Sequence, residues 1–296
     1  MTRRNINPGI LYAVAAHSVW GLLPIFFMLM RPLSPGNILA HRILWSLLLL
    51  SAVAAIMRRG PVLATILRQP RILAALAASA TLIGGNWLVF IDAVNSHRVA
   101  DASLGYFINP LINIALGVVV LRERLGRPEL FAVLITAAAV AWLAATQGQL
   151  PITALVLAGT FGIYGLIRKV TPVEAIDGLL VETALLSPLC IVWLVVAGDD
   201  AVGAAPGWSL VIASGIATTV PLVLFAAAAN LVRYSDIGLL QYIAPTLQLA
   251  LAVFVYGEPL PASRLLGFAL IWIALVIYAT AAVTRSRRKP DVPSRA

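Results

Sequence analysis

The chain has 296 residues, of which 61% are hydrophobic and only 11% charged, with a formal net charge of +9. A soluble domain carries roughly 25% charged residues, so this composition cannot wet a water-soluble surface, and a bilayer is the solvent it fits. The positive excess sits in short gaps between apolar runs and near both ends, which is the pattern of membrane topology and not of a nucleic-acid interface.

In chain order, apolar stretches suited to helices that cross about 30 Å of hydrocarbon fall at approximately 9–30, 37–57, 72–94, 102–121, 130–147, 150–168, 178–197, 209–230, 237–256 and 265–284. The first is longer than the roughly 7–15 apolar residues of a secretion signal, and no small-x-small cleavage pattern follows it, so it is expected to be retained. Between the spans, alternate gaps and the ends hold Arg3, Arg4, Arg58, Arg59, Arg68, Arg71, Arg122, Arg124, Arg127, Arg168, Lys169, Arg233, Arg285, Arg287, Arg288, Lys289 and Arg295. The other side holds only Arg31, Arg98 and Arg264, with Arg42 inside a span. This asymmetry predicts an even number of spans with both termini in the cytoplasm. Cys190 is the single cysteine, which excludes an internal disulfide and reads as inert packing.

A shift of 135 residues brings the two halves into gapless register: Phe90 meets Phe225, Asn95 meets Asn230, Arg98 meets Arg233, Asp101 meets Asp236, Pro110 meets Pro245 and Glu123 meets Glu258. Apolar coincidences are cheap in membrane sequences, but matched Asn, Arg, Asp, Pro and Glu are not. With five spans per copy, the second copy enters the membrane from the opposite face. The predicted fold is therefore an all-α membrane protein of ten transmembrane helices in two inverted five-helix repeats, 1–147 and 148–284, followed by a basic tail, 285–296. Such repeats are concentrated in secondary transporters, which bind solute near the midplane between the halves.

The stretches HRILWS (41–46), IGGNWLVFIDAVN (83–95), ASLGYFINPLIN (102–113), YGLIRK (164–169) and QYIAPT (241–246) resemble the RarD proteins, of the EamA branch of the drug/metabolite transporter superfamily. The resemblance runs over essentially the whole chain. It implies a ten-helix bacterial inner-membrane transporter with cytoplasmic termini, most members being exporters. The chain departs from the family at Asp92, where members usually carry an aromatic residue.

Polar side chains inside the spans are the candidates for function, since each is costly in hydrocarbon unless partnered. Tyr106, Asn109, Pro110, Asn113 and Gly117 share one face of the fourth span, and Gln241, Pro245, Gln248 and Ala252 repeat the stripe in the ninth. They read as a polar wall for solute or as hydrogen-bonding glue between helices, with each proline freeing a backbone carbonyl. His17 is a proton carrier or a packed neutral ring. Trp20, and Trp87 beside Asn86, are candidate aromatic walls. Arg42 either snorkels to the nearer interface, the simpler account, or binds an anionic group. Asp92 and Glu182 are further proton-coupling candidates, each with an ion pair as its plainer reading. The glycines Gly159, Gly162 and Gly165 read as a close-packing face.

No GxxxxGK[ST], HExxH or GxSxG motif occurs, so ATP hydrolysis and the commoner hydrolase chemistries have no seat. No cofactor or metal is expected. The expected partners are a small solute and the lipid bilayer, and a homodimer is compatible with the sequence. A transporter or permease of a small metabolite or drug is the reading that fits best; a non-transporting scaffold and an intramembrane enzyme are the alternatives.

Overall fold

The computed structural model describes residues 8–120, 122, 126–148, 150–198, 207–231 and 240–288. Among them there is no strand. The helices are α1 (Pro8–Leu29), α2 (Pro35–Ile56), α3 (Gly60–Leu67), α4 (Pro70–Asn95), α5 (Val99–Val119), α6 (Arg127–Gln147), α7 (Ile152–Val170), α8 (Ala175–Ala197), α9 (Gly207–Leu231), α10 (Ile243–Ala250), which continues as a π turn over Leu251–Val255, and α11 (Ala262–Arg288). Of the residues on which the repeat and the charge pattern draw, Arg3, Arg4, Glu123, Arg124, Arg233, Asp236, Lys289, Arg295 and the side chains of Pro110, Asn230, Arg285, Arg287 and Arg288 lie outside the described residues.

The helix boundaries follow from local chemistry. Pro35, Pro61, Pro70 and Pro128 sit in first turns, where a missing N–H costs nothing, and the Ser34 hydroxyl accepts from the Asn37 amide to cap α2. Left-handed residues close several helices: Arg58 after α2, His97 after α4 and Gly148 after α6. Within the described residues, the apolar stretches read from the sequence fall on helices, the ninth only from Ile243 onward. Seven helices are long and apolar enough to cross a membrane, and the apolar parts of the others, Leu130–Thr146, Ile243–Val255 and Ala262–Tyr278, are shorter. The amphipathic eight-residue α3, in the gap between the second and third spans, has no counterpart among the predicted elements.

The exterior is apolar, unlike that of a soluble protein: Leu29, Leu48, Phe131, Leu189, Val196, Phe254 and Val276 are exposed. The largely apolar core nonetheless encloses Asn37, Arg42, Asn86, Asp177, Glu182 and Gln248. An apolar exterior around a core that holds such polar side chains suits a lipid surround. The closest helix pairs are α5 with α7, α1 with α9, α6 with α11, α2 with α9, α2 with α8 and α4 with α7, followed by α1 with α10 and α5 with α10. Most of these pairs join an early helix to a late one, so the interior is built between the two halves of the chain.

Glycine sets the closest of these approaches. A Cβ at Gly105 would come within 2.8 Å of the Ala154 carbonyl, and one at Gly215 within 2.6 Å of the Trp45 backbone. Of the three glycines predicted to form a packing face in α7, only Gly162 does so, against Ile112 and Asn113; Gly159 and Gly165 face open space. A 3.6-residue turn places every third residue on one face only over short distances, so the geometry selects one of the three.

Candidate functional site

The candidate residues gather in two groups along one face of α1. His17, Trp20 and Phe27 lie three and ten residues apart, so they share that face over about 15 Å.

The first group surrounds Arg42, which enters from α2 about 10 Å from the start of its helix. Its residue is only 4% exposed. The guanidinium carbon lies 4.3 Å from the Trp87 ring centroid and 5.4 Å from that of Phe27. Nε donates to Thr218 Oγ1 at 2.7 Å, and that hydroxyl donates in turn to the Ser214 carbonyl at 2.9 Å. Nη1 makes no hydrogen bond among the described residues. The simpler account of Arg42, a snorkel toward the interface, is therefore corrected: two aromatic faces and a threonine from α9 hold the side chain inside the bundle.

Beside it, Asn86 is fully enclosed between α4 and α7. Its Nδ2 donates to the Leu157 carbonyl at 2.9 Å and to Thr160 Oγ1 at 2.8 Å, and its Oδ1 accepts from the Tyr106 hydroxyl at 3.5 Å. Asn86 thus positions Tyr106, whose ring is also set edge-on to Phe90 and Phe161.

The second group is His17, Trp20, Phe225 and Gln248. The His17 ring meets Trp20 at 5.2 Å and Phe225 at 5.8 Å, both edge-on, while its Nε2 makes no hydrogen bond among the described residues. Pro24 has no N–H for the carbonyl of Trp20, four residues back. Gln248 Nε2, from α10, takes that acceptor at 3.3 Å. Gln248 Oε1 and Asn109 Oδ1 are buried without a hydrogen bond among the described residues. Asn113 is exposed, with its amide oxygen against Gly162, and Gln241 is half-buried at the turn leading into α10. The two polar stripes are therefore only partly interior: Tyr106, Asn109 and Gln248 are, and Asn113 is not.

The remaining proton candidates lie apart from both groups. Asp92 pairs with Arg98 at 2.6 Å in a half-exposed contact, and Arg98 also donates to Thr153. Glu182 is buried in α8; its Oε1 accepts from Ser79 Oγ at 2.5 Å and lies 3.7 Å from Arg168 Nε. Arg168 packs flat over Gly178, where any Cβ would collide with it. Next to this knot, Arg59 from the α2–α3 turn pairs with Glu174 and lies 3.6 Å from Asp177. The hydrogen bond that Arg59 donates to Glu174, with the Asp177 charge behind it, holds the Arg59 guanidinium above its ordinary pKa.

At the opposite ends of α4 and α5, Glu258 accepts from the Val99 and Ala100 amides at 2.7 and 2.8 Å and so caps α5 from the far half of the chain. Burial pushes the Glu258 carboxyl up, against the pull of the two amides. Asp101 pairs there with Arg264, and Arg31 bonds to His97 at 2.6 Å.

Sequence reasoning did not reach Thr218, Phe27 or Ser79. Two adjacent threonines in an otherwise apolar α9, Thr218 and Thr219, were the available signal; Phe225 had appeared only as the repeat partner of Phe90.

The profile of the EamA-like transporter family matches residues 7–145. Protein RarD of Escherichia coli strain K12 is 44% identical over 97% of this chain and 99% of its own length. An uncharacterized transporter of Pseudomonas aeruginosa is 43% identical over 98% of this chain and 99% of its own. The chloramphenicol-sensitive protein RarD of the same organism is 29% identical over 91% and 92%. One crystal structure superposes with a TM-score of 0.59 at 21% identity, covering 95% of this chain and 99% of the other, which speaks to the fold alone. With a conserved length, a matching family profile and a multi-pass helical fold, the chain belongs to the RarD proteins of the EamA-like transporter family.

Proposed function

We propose that the chain is a secondary transporter that moves a small metabolite or drug across the bacterial inner membrane by alternating access between two inverted five-helix halves. In this reading residues 1–147 and 148–284 are the halves, α3 is a surface helix, and both termini are cytoplasmic. The observation that carries it is the pair of interior groups: Arg42, Trp87, Asn86 and Tyr106 of α2, α4 and α5, tied to Thr218 of α9 and to Leu157 and Thr160 of α7, and Trp20 of α1 with Gln248 of α10, so that each group joins early helices to late ones.

Two features support the pseudo-symmetry. Exchanging each helix for its counterpart turns the α5–α7 contact into α10–α1 and the α1–α9 contact into α7–α4, and all four pairs pack. Arg122 and Gly257, 135 residues apart, both adopt left-handed backbone, at φ 55° and 63°. A turn that a repeat unit makes twice at the same register is the expected mark of duplication.

Proton coupling, in this reading, falls to His17 or Glu182, because Asp92 is engaged in an exposed pair. Reconstitution into proteoliposomes with a panel of amino acids, amphenicols and metabolites, with and without a pH gradient, tests the proposal. Saturable flux that His17→Gln or Glu182→Gln uncouples from the gradient supports it. Release of a covalently altered product without net solute movement sinks it.

A further inference from the structure

Arg42 is a permanent cation enclosed inside the bundle, and enclosure of a charge without a counter-charge is among the costliest arrangements a protein can hold. Every acidic side chain described in the structure is committed elsewhere. Asp92 pairs with Arg98, Asp101 with Arg264, Glu174 and Asp177 with Arg59, Glu182 with Ser79 and Arg168, and Glu258 with the amides of α5. Around Arg42 the protein supplies a hydroxyl and aromatic rings, which screen a cation but do not neutralise it.

The directions of approach are also restricted. Trp87 and Phe27 lie against the guanidinium, 4.3 and 5.4 Å from its carbon. The edge that includes Nε is taken by Thr218. What remains is the end-on edge, and Nη1 on that edge is buried with no hydrogen bond among the described residues. A planar fork approached in its own plane is the geometry that pairs with a carboxylate through two parallel hydrogen bonds. The neighbouring walls are aromatic: Tyr106, held by Asn86, with Phe90 and Phe161 set edge-on to it.

We infer that Arg42 is the anchor of an anionic solute, a small monocarboxylate with a flat apolar body, whose carboxylate docks on the free edge of the guanidinium while its body lies along the Trp87, Phe27 and Tyr106 rings. The inference rests on the transport reading for calling the ligand a solute, but the binding is measurable without flux. It predicts that a neutral amide of the same shape is refused, since the buried cation would stay unpaired. It also separates Arg42 from a purely structural bridge between α2 and α9, which an uncharged side chain could replace.

The test uses the full chain in phosphatidylcholine nanodiscs, where no net-anionic headgroup competes. Benzoate, phenylacetate and indole-3-acetate are each titrated beside the matching amide, with inorganic phosphate as a small oxyanion, reading tryptophan fluorescence and the shift in Tm. At least one carboxylate should bind, with its amide about tenfold or more weaker, the discrimination expected of one charge-assisted contact. Arg42→Met, which keeps the volume, should abolish the preference while the ligand-free protein still unfolds cooperatively. Arg42→Lys, which keeps the charge and covers the case of poor Met expression, should retain the preference at reduced affinity.

Three results overturn the inference: acid and amide binding alike, phosphate binding in preference to all three carboxylates, or undiminished carboxylate binding by Arg42→Met. The underlying transport reading fails separately. Anions that bind through Arg42 but never cross a liposome membrane would remove transport and leave the site. Neutral solutes that cross while no anion binds would do the reverse.

Discussion

A proline inside a helix leaves the carbonyl four residues earlier without its amide, and in this chain those carbonyls are put to use. Pro188 frees the Ala184 carbonyl, which takes the Ser187 hydroxyl at 2.8 Å within the same helix. Pro24 frees the Trp20 carbonyl, which takes Gln248 from α10 instead and so ties the two halves together. Gln248→Leu should strand that acceptor and cost about 1 kcal/mol of stability, read as a fall in Tm in detergent, with a larger proportional loss of flux. A Gln248→Leu protein that transports at the unaltered rate would remove Gln248 from the site. Asn86→Leu should cost about 1–3 kcal/mol, because it leaves two α7 acceptors and the Tyr106 hydroxyl without their partner. Much of this was legible beforehand: Gln248, Tyr106 and Asn86 stand out in any apolar sequence. The environment of Arg42 was not, since helical spacing gives a residue's depth but not its neighbours. Thr218, which holds its Nε, is 176 residues away in the chain.

At the scale of elements, the helices were readable because a bilayer imposes one length and one composition on every crossing, and seven of them are long and apolar enough for one. The short α3 escaped because nothing about a loop of 13 residues between two spans demands a helix. The way α5 and α7 meet was half legible: small residues were marked, but which glycine touches depends on the helix rotation, and the sequence does not state it. That rotation gives substitutions of opposite sign. Gly105→Ala places a methyl 2.8 Å from the Ala154 carbonyl oxygen, a backbone atom that cannot move aside, so it should destabilise by about 1–3 kcal/mol. Gly159→Ala and Gly165→Ala meet nothing within 4 Å and remove a flexible residue from a helix interior, which should stabilise by about 0.5–1 kcal/mol. Thermal unfolding of the three variants in one detergent decides it; a destabilised Gly165→Ala would mean that α7 is rotated from the orientation described.

For the whole molecule the decisive feature is that polar ties join the halves at both ends. At one end Glu258 caps α5 and Asp101 pairs with Arg264, so α10 and α11 are strapped to α5. At the other, Arg59 holds Glu174 and Asp177, and Arg168 and Ser79 hold Glu182, which fixes α8 to the α2–α3 turn and to α4. In the proposed topology the second end faces the cytoplasm. A protein that opens to one side at a time must break one set while keeping the other, and a conformation with both sets made lies between the two open forms. Weakening one set should therefore bias the population toward that side, since each lost charged contact shifts the equilibrium by the free energy it supplied there alone. With Asn109→Cys as the reporter in a Cys190→Ser background, Glu258→Ala with Asp101→Ala should raise labelling by an impermeant maleimide from the outer face and lower it from the cytoplasmic face. Arg59→Ala should do the opposite. Labelling that rises equally from both faces in either variant would show a loosened bundle and no alternation, and rigid-body rocking of the halves would have to be abandoned.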